Sequence, residues 1–478
     1  MPVSHSVAVD PRSSGAMSKL RGFLQERRQA VGPMADFEAF EQQLHAMFAA
    51  AECEALGEEL ERLDLDVPMV TIDGVPHRRV VRCEETYFSA AGPLRVTRSL
   101  YATREGSGER AECPLELRAG IVDGRWTPQA AKQAVWVVAH LTPQTAEELF
   151  ETLGGMKPSK AALDRLPKRV SERWEKRREE LEAALRKAES VPAEAVSVGI
   201  SLDGVMVPMK DGERLSKREQ AKAEGKRTRG PAGHQEVGCG TLTFYDKEGE
   251  RLRTVRLGRM PEKKKATLKA TLTAELMAAL AARPDLTVVR LADGAKDNWS
   301  YLSELAVTGP QVVDFFHAAE HLASALDAAY GENTPKSKAQ LEKLRHVLRH
   351  DAGGVEKVIR ALSYLRQKHR RKKQLTTELK YFRRRRGFMR YAEIADQKLP
   401  IGTGVTEAAC KTLATQRMKC SGMAWREMGG QAVLTLRALI QSGRFHSAWK
   451  LIVDGYKREI AVPKNVIPFP CRPVLERQ

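Results

Sequence analysis

No apolar run in this 478-residue chain approaches the roughly 18 residues that a membrane-spanning helix needs. Met1–Leu20 also has no hydrophobic core of the kind a secretory signal carries. The seven cysteines (Cys53, Cys83, Cys113, Cys239, Cys410, Cys420 and Cys471) are odd in number, scattered, and never in a C-x-x-C pair. That usage excludes a disulfide framework and leaves no zinc site evident. No internal repeat is visible. Together these absences predict a chain that works in a reducing cytoplasm, with no membrane partner.

What the chain does carry is positive charge: 79 Lys+Arg against 61 Asp+Glu, a formal net +18. A surplus of that size suits a polyanionic partner, DNA or RNA first, although a basic enzyme without such a partner has the same balance. Two clusters stand out. One is Arg370, Arg371, Lys372 and Lys373; the other is Arg383, Arg384, Arg385 and Arg386, interleaved with Tyr381, Phe382, Phe388 and Tyr391. Basic residues beside aromatics suit a nucleic-acid backbone with stacking bases. The alternative is a solvated helix face with its aromatics packed inward. Further on, Arg417 and Lys419 lie on a basic helical segment, Lys411–Lys419, and Gly429–Gln441 reads as a buried apolar helix.

Nearer the start, Ser18–Gln29 and Met34–Leu65 have helical periodicity, and His77–Thr103 reads as a hairpin turning at Ala90-Ala91-Gly92-Pro93. Gly106–Glu112 is a polar loop. Thr127–Val138, Thr142–Leu153 and Ser159–Val170 are helical, with Thr142 and Ser159 as N-caps and Gly154-Gly155 as a stop. The last two resemble a helix-turn-helix whose second helix would bring Lys160, Arg165, Lys168 and Arg169 to a major groove. An ordinary helical hairpin fits the same pattern. The charged Ser171–Lys187 continues that helix as a connector.

The chemistry-bearing signal is three acidic stretches: Leu202-Asp203-Gly204, Ala292-Asp293-Gly294 and Gly404-Val405-Thr406-Glu407. Each Asp closes an apolar run, Ala195–Leu202 or Leu286–Ala292, and precedes Gly, which predicts a buried strand ended by a turn. Glu407 opens a helical pattern after Gly402-Thr403-Gly404. Between the two Asp lie strand-like Val237–Phe244 and Arg251–Leu257, then a helix over Lys263–Ala282. That is the hairpin and crossover helix a parallel central strand requires. The 114 positions from Asp293 to Glu407 are too many for one helix and one strand, so an insertion is expected. Converging carboxylates repel, and divalent cations relieve that cost. Two ions about 3.5–4 Å apart activate an attacking oxygen and stabilise a leaving one in phosphodiester chemistry. Asp203, Asp293 and Glu407 are therefore expected to bind two Mg²⁺ (or Mn²⁺).

The segments DGVMVPM (203–209), ADGAKDNW (292–299), DFFHAAEHL (314–322), GTGVTEAACKTL (402–413), SGMAW (421–425) and QSGRF (441–445) resemble insertion-sequence DDE transposases of the ISKra type. The similarity runs from about Val196 to Trp449. It implies an acidic triad at Asp203, Asp293 and Glu407. Asp314 and His317 resemble the (Cys/Asp)-x-x-His signature of related superfamilies, so Asp314 is expected beside the metal pocket, at the end of a strand Val312–Phe315. His317 would orient the scissile phosphate or an acidic ligand through its ring N–H. Relatives of this type carry paired N-terminal cysteines, for which only Cys83 and Cys113 are candidates here.

The expected fold is α/β: an RNase H-like catalytic domain (mixed five-stranded sheet with flanking helices) carrying an all-α insertion, preceded by a mostly helical N-terminal DNA-binding region with a β-hairpin. The expected division is a disordered start (1–16), an N-terminal region (17–190), a core in two parts (191–320 and 400–459), a basic helical insertion (321–399) and an extended tail (460–478). The function implied is metal-dependent cleavage at element ends and strand transfer into target DNA. Double-stranded DNA is the partner, a homodimer or higher oligomer acts on it, and the chain is nucleoid-associated in a bacterial cytoplasm. An RNase H-like nuclease and a transposase-derived DNA-binding regulator without catalysis remain alternatives.

Overall fold

The computed structural model describes residues 15–30, 32, 36–103, 111–210, 219–226 and 233–464. Residues 1–14 of the expected disordered start, 106–110 of the polar loop and 465–478 of the tail lie outside the described residues. No helix among those described is long and apolar enough to cross a membrane. The chain divides into two compact units, one reaching Lys176 and resuming at His446, the other spanning Arg177–Phe445.

The first unit opens with helices Ala16–Gln29 and Phe37–Glu61, which meet through stacked Phe23 and Phe40 rings, 5.8 Å apart. An antiparallel sheet follows: β1 (Met69–Ile72), β2 (Val75–Phe88) and β3 (Pro93–Ala102). The turn from β1 to β2 is Asp73-Gly74, both at positive φ (47° and 81°), as a two-residue hairpin loop demands. The free edge of β1 is closed by Ile460–Ala461, pairing with Ile72 and Thr71. This revises the division read from sequence, which left residues up to 459 with the core and 460 onward as a tail. Pairing between segments almost 390 positions apart leaves no local trace. Helices Pro128–His140, Pro143–Leu153 and Lys160–Lys176 pack on one another. Thr127 and Thr142 cap the first two, accepting from the N–H of Ala130 and Thr145. The third helix ends at Lys176 instead of running on to Lys187, because Arg177 leaves helical geometry (φ −119°, ψ 20°) and a new helix, Arg178–Ala188, starts.

The second unit is an α/β layer around a mixed five-stranded sheet: β4 (Ser197–Pro208), β5 (His234–Tyr245), β6 (Arg251–Arg259), β7 (Thr287–Ala292) and β8 (Gln311–Val313). The spatial order is β6-β5-β4-β7-β8; the first three are antiparallel, and β4-β7 and β7-β8 are parallel. Helix Ala266–Ala282 crosses from the β6 edge to β7, burying Leu268, Leu272 and Leu276 against β5 and β6. It lies close because β5 offers Gly238 and Gly240; a Cβ at 238 would come 2.8 Å from the Leu268 side chain.

After β8 the chain is helical: Phe315–Tyr330, Pro335–His350, Gly354–Lys368, Lys373–Arg385 and Tyr391–Asp396. A continuous apolar core joins them to β7 and β8 through Val289, Val312, Phe315, Leu322, Leu362 and Phe382. Residues 404–418 form one helical run with a π segment at Cys410–Thr415. Helix Glu427–Gln441 then packs on β6.

Candidate active site

Asp203 does not end a strand. β4 runs through Asp203 and Gly204, which pair with Cys239 and Gly238 of β5. The twelve-pair ladder with β5 keeps the chain extended. Gly204 continues the strand instead of turning it, with the Glu236 side chain lying across it. The parallel ladder with β7 stops at Ser201↔Leu291, so Asp203 stands just beyond it, where one edge of β4 opens. Asp293 sits as the sequence predicts, immediately after β7, and its Oδ1 accepts from the N–H of Gly294 (2.7 Å) and Ala295 (3.0 Å). Asn298, 1% exposed, ties the two strands together: its Nδ2 donates to the Leu202 carbonyl (3.2 Å) and to Asp293 Oδ1 (3.5 Å).

Asp314 is fully buried. β8 ends at Val313, not Phe315, because the Asp314 side chain caps the next helix, accepting from the His317 N–H at 2.6 Å. Its other oxygen accepts from the backbone N–H (2.5 Å) and hydroxyl (2.9 Å) of Thr403. The same hydroxyl lies 3.1 Å from Glu407 Oε1, so Thr403 joins the two acids. Cys410, on the turn after Glu407, donates its thiol to Asp203 Oδ2 at 3.8 Å.

Burial raises the Asp203 pKa first, and the charge of Asp293 adds to it; the Gly204 N–H and Lys265 oppose. Glu407 is exposed as a residue. Partial burial of its carboxyl, then the charges of Asp314, Asp203 and Glu320, raise its pKa, while the Thr403 hydroxyl opposes. The four acids thus form one electrostatically coupled cluster. Among the described residues, no three His, Cys, Asp or Glu side chains close on a point as a preformed metal cage.

No protein-family model and no curated protein matches this chain.

The basic residues divide by position. Arg370, Arg371 and Lys372 are exposed between two helices and Lys373 opens the second. Arg383, Arg384 and Arg386 are exposed. Arg385 is not: it lies 4.8 Å over the Tyr381 ring and donates to the Gly294 carbonyl at 2.5 Å, next to Asp293. The interleaved aromatics pack inward, with Phe382 and Tyr391 buried and Phe388 stacked on Trp299 at 5.0 Å. Arg417 does not lie on a basic surface as the sequence suggests. It is 4% exposed, held over Trp425 at 5.1 Å, with its pKa lowered to about 10 by burial and then by the Arg437 charge. Its basicity read as surface charge because nothing local marks it as buried. Lys419 is exposed. In the other unit, Lys160, Arg165 and Arg169 are exposed and Lys168 is paired with Asp164 at 2.5 Å.

Sequence reasoning missed Asn298, Thr403, Lys265, Cys410, His321 and Glu378. Asn298, Thr403 and Cys410 lie inside the segments that carry the resemblance, within five residues of an acid, and His321 lies inside one as well. Glu378 had no such signal.

Proposed function

We propose that this chain is a DDE transposase: a metal-dependent enzyme that cuts DNA at the ends of an insertion sequence and joins the freed 3′-hydroxyl to target DNA. The observation that carries this reading is the strand order combined with acid placement. Numbered by sequence within its own sheet, the order is 3-2-1-4-5. Asp203 lies on the first strand, Asp293 after the fourth, and Glu407 on a helix following the fifth. That order is compatible with an RNase H-like catalytic domain, here with five helices standing between the fifth strand and Glu407. The net charge of +18 fits duplex DNA as the partner.

The donor set fits divalent metal. Asp203 and Glu407 are carboxylates whose charged forms are disfavoured by burial and by neighbouring acids, a cost that a hard cation offsets. Asp203, Asp293 and Glu407 would hold Mg²⁺ or Mn²⁺, which supplies activation of the attacking oxygen and stabilisation of the leaving one. The chain's own part is to fix the acids: Asn298 orients Asp293, the Thr403 hydroxyl is shared between Asp314 and Glu407, and Cys410 holds Asp203. Arg385 sets a positive charge at the Asp293-Gly294 turn.

The deciding experiment uses the DNA that flanks the reading frame. A labelled duplex carrying the flanking inverted repeats is incubated with the protein, Mg²⁺ or Mn²⁺, and a supercoiled target plasmid. Nicking at the repeat boundary followed by joined product supports transposition. Cleavage of any duplex without joining indicates a nuclease, and specific binding without cleavage indicates a regulator.

A further inference from the structure

A half-buried polar chain, anchored on the buried Glu378, runs towards the acidic cluster from the helices inserted before Glu407. His317 and His321 stand one turn apart on helix Phe315–Tyr330, their Nε2 atoms 3.2 Å apart and their rings perpendicular. The other nitrogen of His321, Nδ1, lies 2.6 Å from Oε2 of Glu378, which is 3% exposed on helix Lys373–Arg385. Glu378 Oε1 also accepts from Gln374 Nε2 at 2.5 Å, and Tyr381 stacks on the His321 ring with centroids 3.7 Å apart. The His321 ring is therefore held from two sides.

The proton positions follow from what each group can do. An ionised carboxylate only accepts, so the Nδ1 of His321 carries a proton and, in the neutral ring, its Nε2 accepts. Only an Nε2–H on His317 can fill the 3.2 Å gap. The His317 ring lies over the Asp293-Gly294 turn, where a Cβ on Gly294 would come 3.3 Å from Nε2. Its remaining nitrogen, Nδ1, faces Oε2 of the exposed Glu320 at 3.5 Å. Two acceptors face each other there, and what such a place lacks is a donor. The role expected from sequence, an N–H turned to a phosphate oxygen, needs the proton that His317 already directs at His321.

We propose that Glu378 and His321 are positioning residues that keep the His317 proton on Nε2, leaving His317 Nδ1 as a hydrogen-bond acceptor for the attacking hydroxyl, water or a DNA 3′-end. This rests on the DNA-cleaving reading above. It ties the inserted helices to the chemistry, since Glu378 is far from every acid of the cluster in sequence.

The test uses the full chain with ¹⁵N-labelled histidine rings. Long-range ¹H–¹⁵N correlation should find His321 protonated at Nδ1 and His317 at Nε2. Glu378→Gln, whose amide can donate to Nδ1, should move the His321 proton to Nε2 and displace that of His317. Cleavage of a repeat-end duplex should then fall about 10–100-fold, the usual cost of losing an outer-shell partner. Duplex affinity and Tm should stay at wild-type values, and Glu378→Asp should recover part of the rate. A wild-type His317 protonated at Nδ1, or Glu378→Gln with unchanged turnover, overturns the proposal. So does stoichiometric Zn²⁺ binding that perturbs both Nε2 atoms, which would make the pair a metal site. If Glu378→Gln does not fold, the wild-type proton positions decide alone. If the wild type cuts no DNA, the functional reading fails while those positions still judge the relay.

Discussion

The thiol of Cys410 donates to Asp203 Oδ2 across 3.8 Å, tying the helical run that carries Glu407 to the strand that carries Asp203. The contact fixes one oxygen of an acid whose charged form is already disfavoured by burial and by Asp293. Close approach of carboxylates without a balancing positive charge costs folding energy in the metal-free protein.

The contribution of these acids to stability should therefore fall as pH rises through the carboxylate range. Asp203 and Glu407 both hold protons more tightly folded than unfolded. The unfolded chain releases its protons first, near the ordinary values of about 3.9 and 4.3, so the folded state loses stability from there up to the raised folded values. Asp203→Asn removes one charge and should raise the Tm at pH 7 in chelator, by about 2–4 °C for each 1 kcal/mol of repulsion relieved. Mg²⁺ should raise the Tm of the wild type and do less for the variant. Scanning calorimetry from pH 4 to 8 reads both. A lower Tm for the variant at pH 7 would show that the acids do not repel.

Asn298→Ala should destabilise the protein by about 1–3 kcal/mol, the cost of leaving buried polar partners unsatisfied. The side chain is 1% exposed and links the Leu202 carbonyl to Asp293, with Lys265 Nζ 3.4 Å from its oxygen. Urea denaturation measures the loss. Cleavage should drop more than stability explains, because Asp293 loses an orienting donor.

Much of this site was legible in the residues, and what was not has a physical reason. The acids, the β5–β6 hairpin and the crossover helix announce themselves through apolar runs and turn residues close in sequence. Gly204 misled, because an Asp-Gly pair can lie inside a strand as well as end one. The pairing of Ile460–Ala461 with β1, the burial of Arg417 and the His321–Glu378 contact are all set by tertiary packing. A charge pattern cannot distinguish a guanidinium over Trp425 from one in solvent.

Lys160 and Arg165 are exposed on helix Lys160–Lys176, whereas Lys168 is paired with Asp164 one turn earlier. The first two should therefore carry the recognition of element ends. In the full chain, Lys160→Ala with Arg165→Ala should shrink the preference for a terminal-repeat duplex over scrambled DNA by about tenfold or more, each lost base contact costing about 1–3 kcal/mol. Competition anisotropy measures it. An unchanged preference would make this helix an ordinary member of a helical bundle.

The members of the second arginine cluster do different work. Arg385 is committed to the Gly294 carbonyl and the Tyr381 face, while Arg383, Arg384 and Arg386 are exposed, Arg383 donating at 3.2 Å to Ser363. Exposed guanidinium groups that neutralise phosphates release counterions, and each duplex phosphate contributes about 0.9 to the log–log salt slope. Replacing Arg383, Arg384 and Arg386 with Gln should flatten the slope by up to about 2.7 on that principle, weakening binding to all duplexes alike. Arg385→Gln should change the slope little and lower cleavage instead, since its charge sits at the turn that follows Asp293. Titrations of both variants across ionic strength, with cleavage rates at saturating DNA, separate the two roles. If the triple variant keeps the wild-type slope, those arginines only face solvent and the DNA runs along another surface.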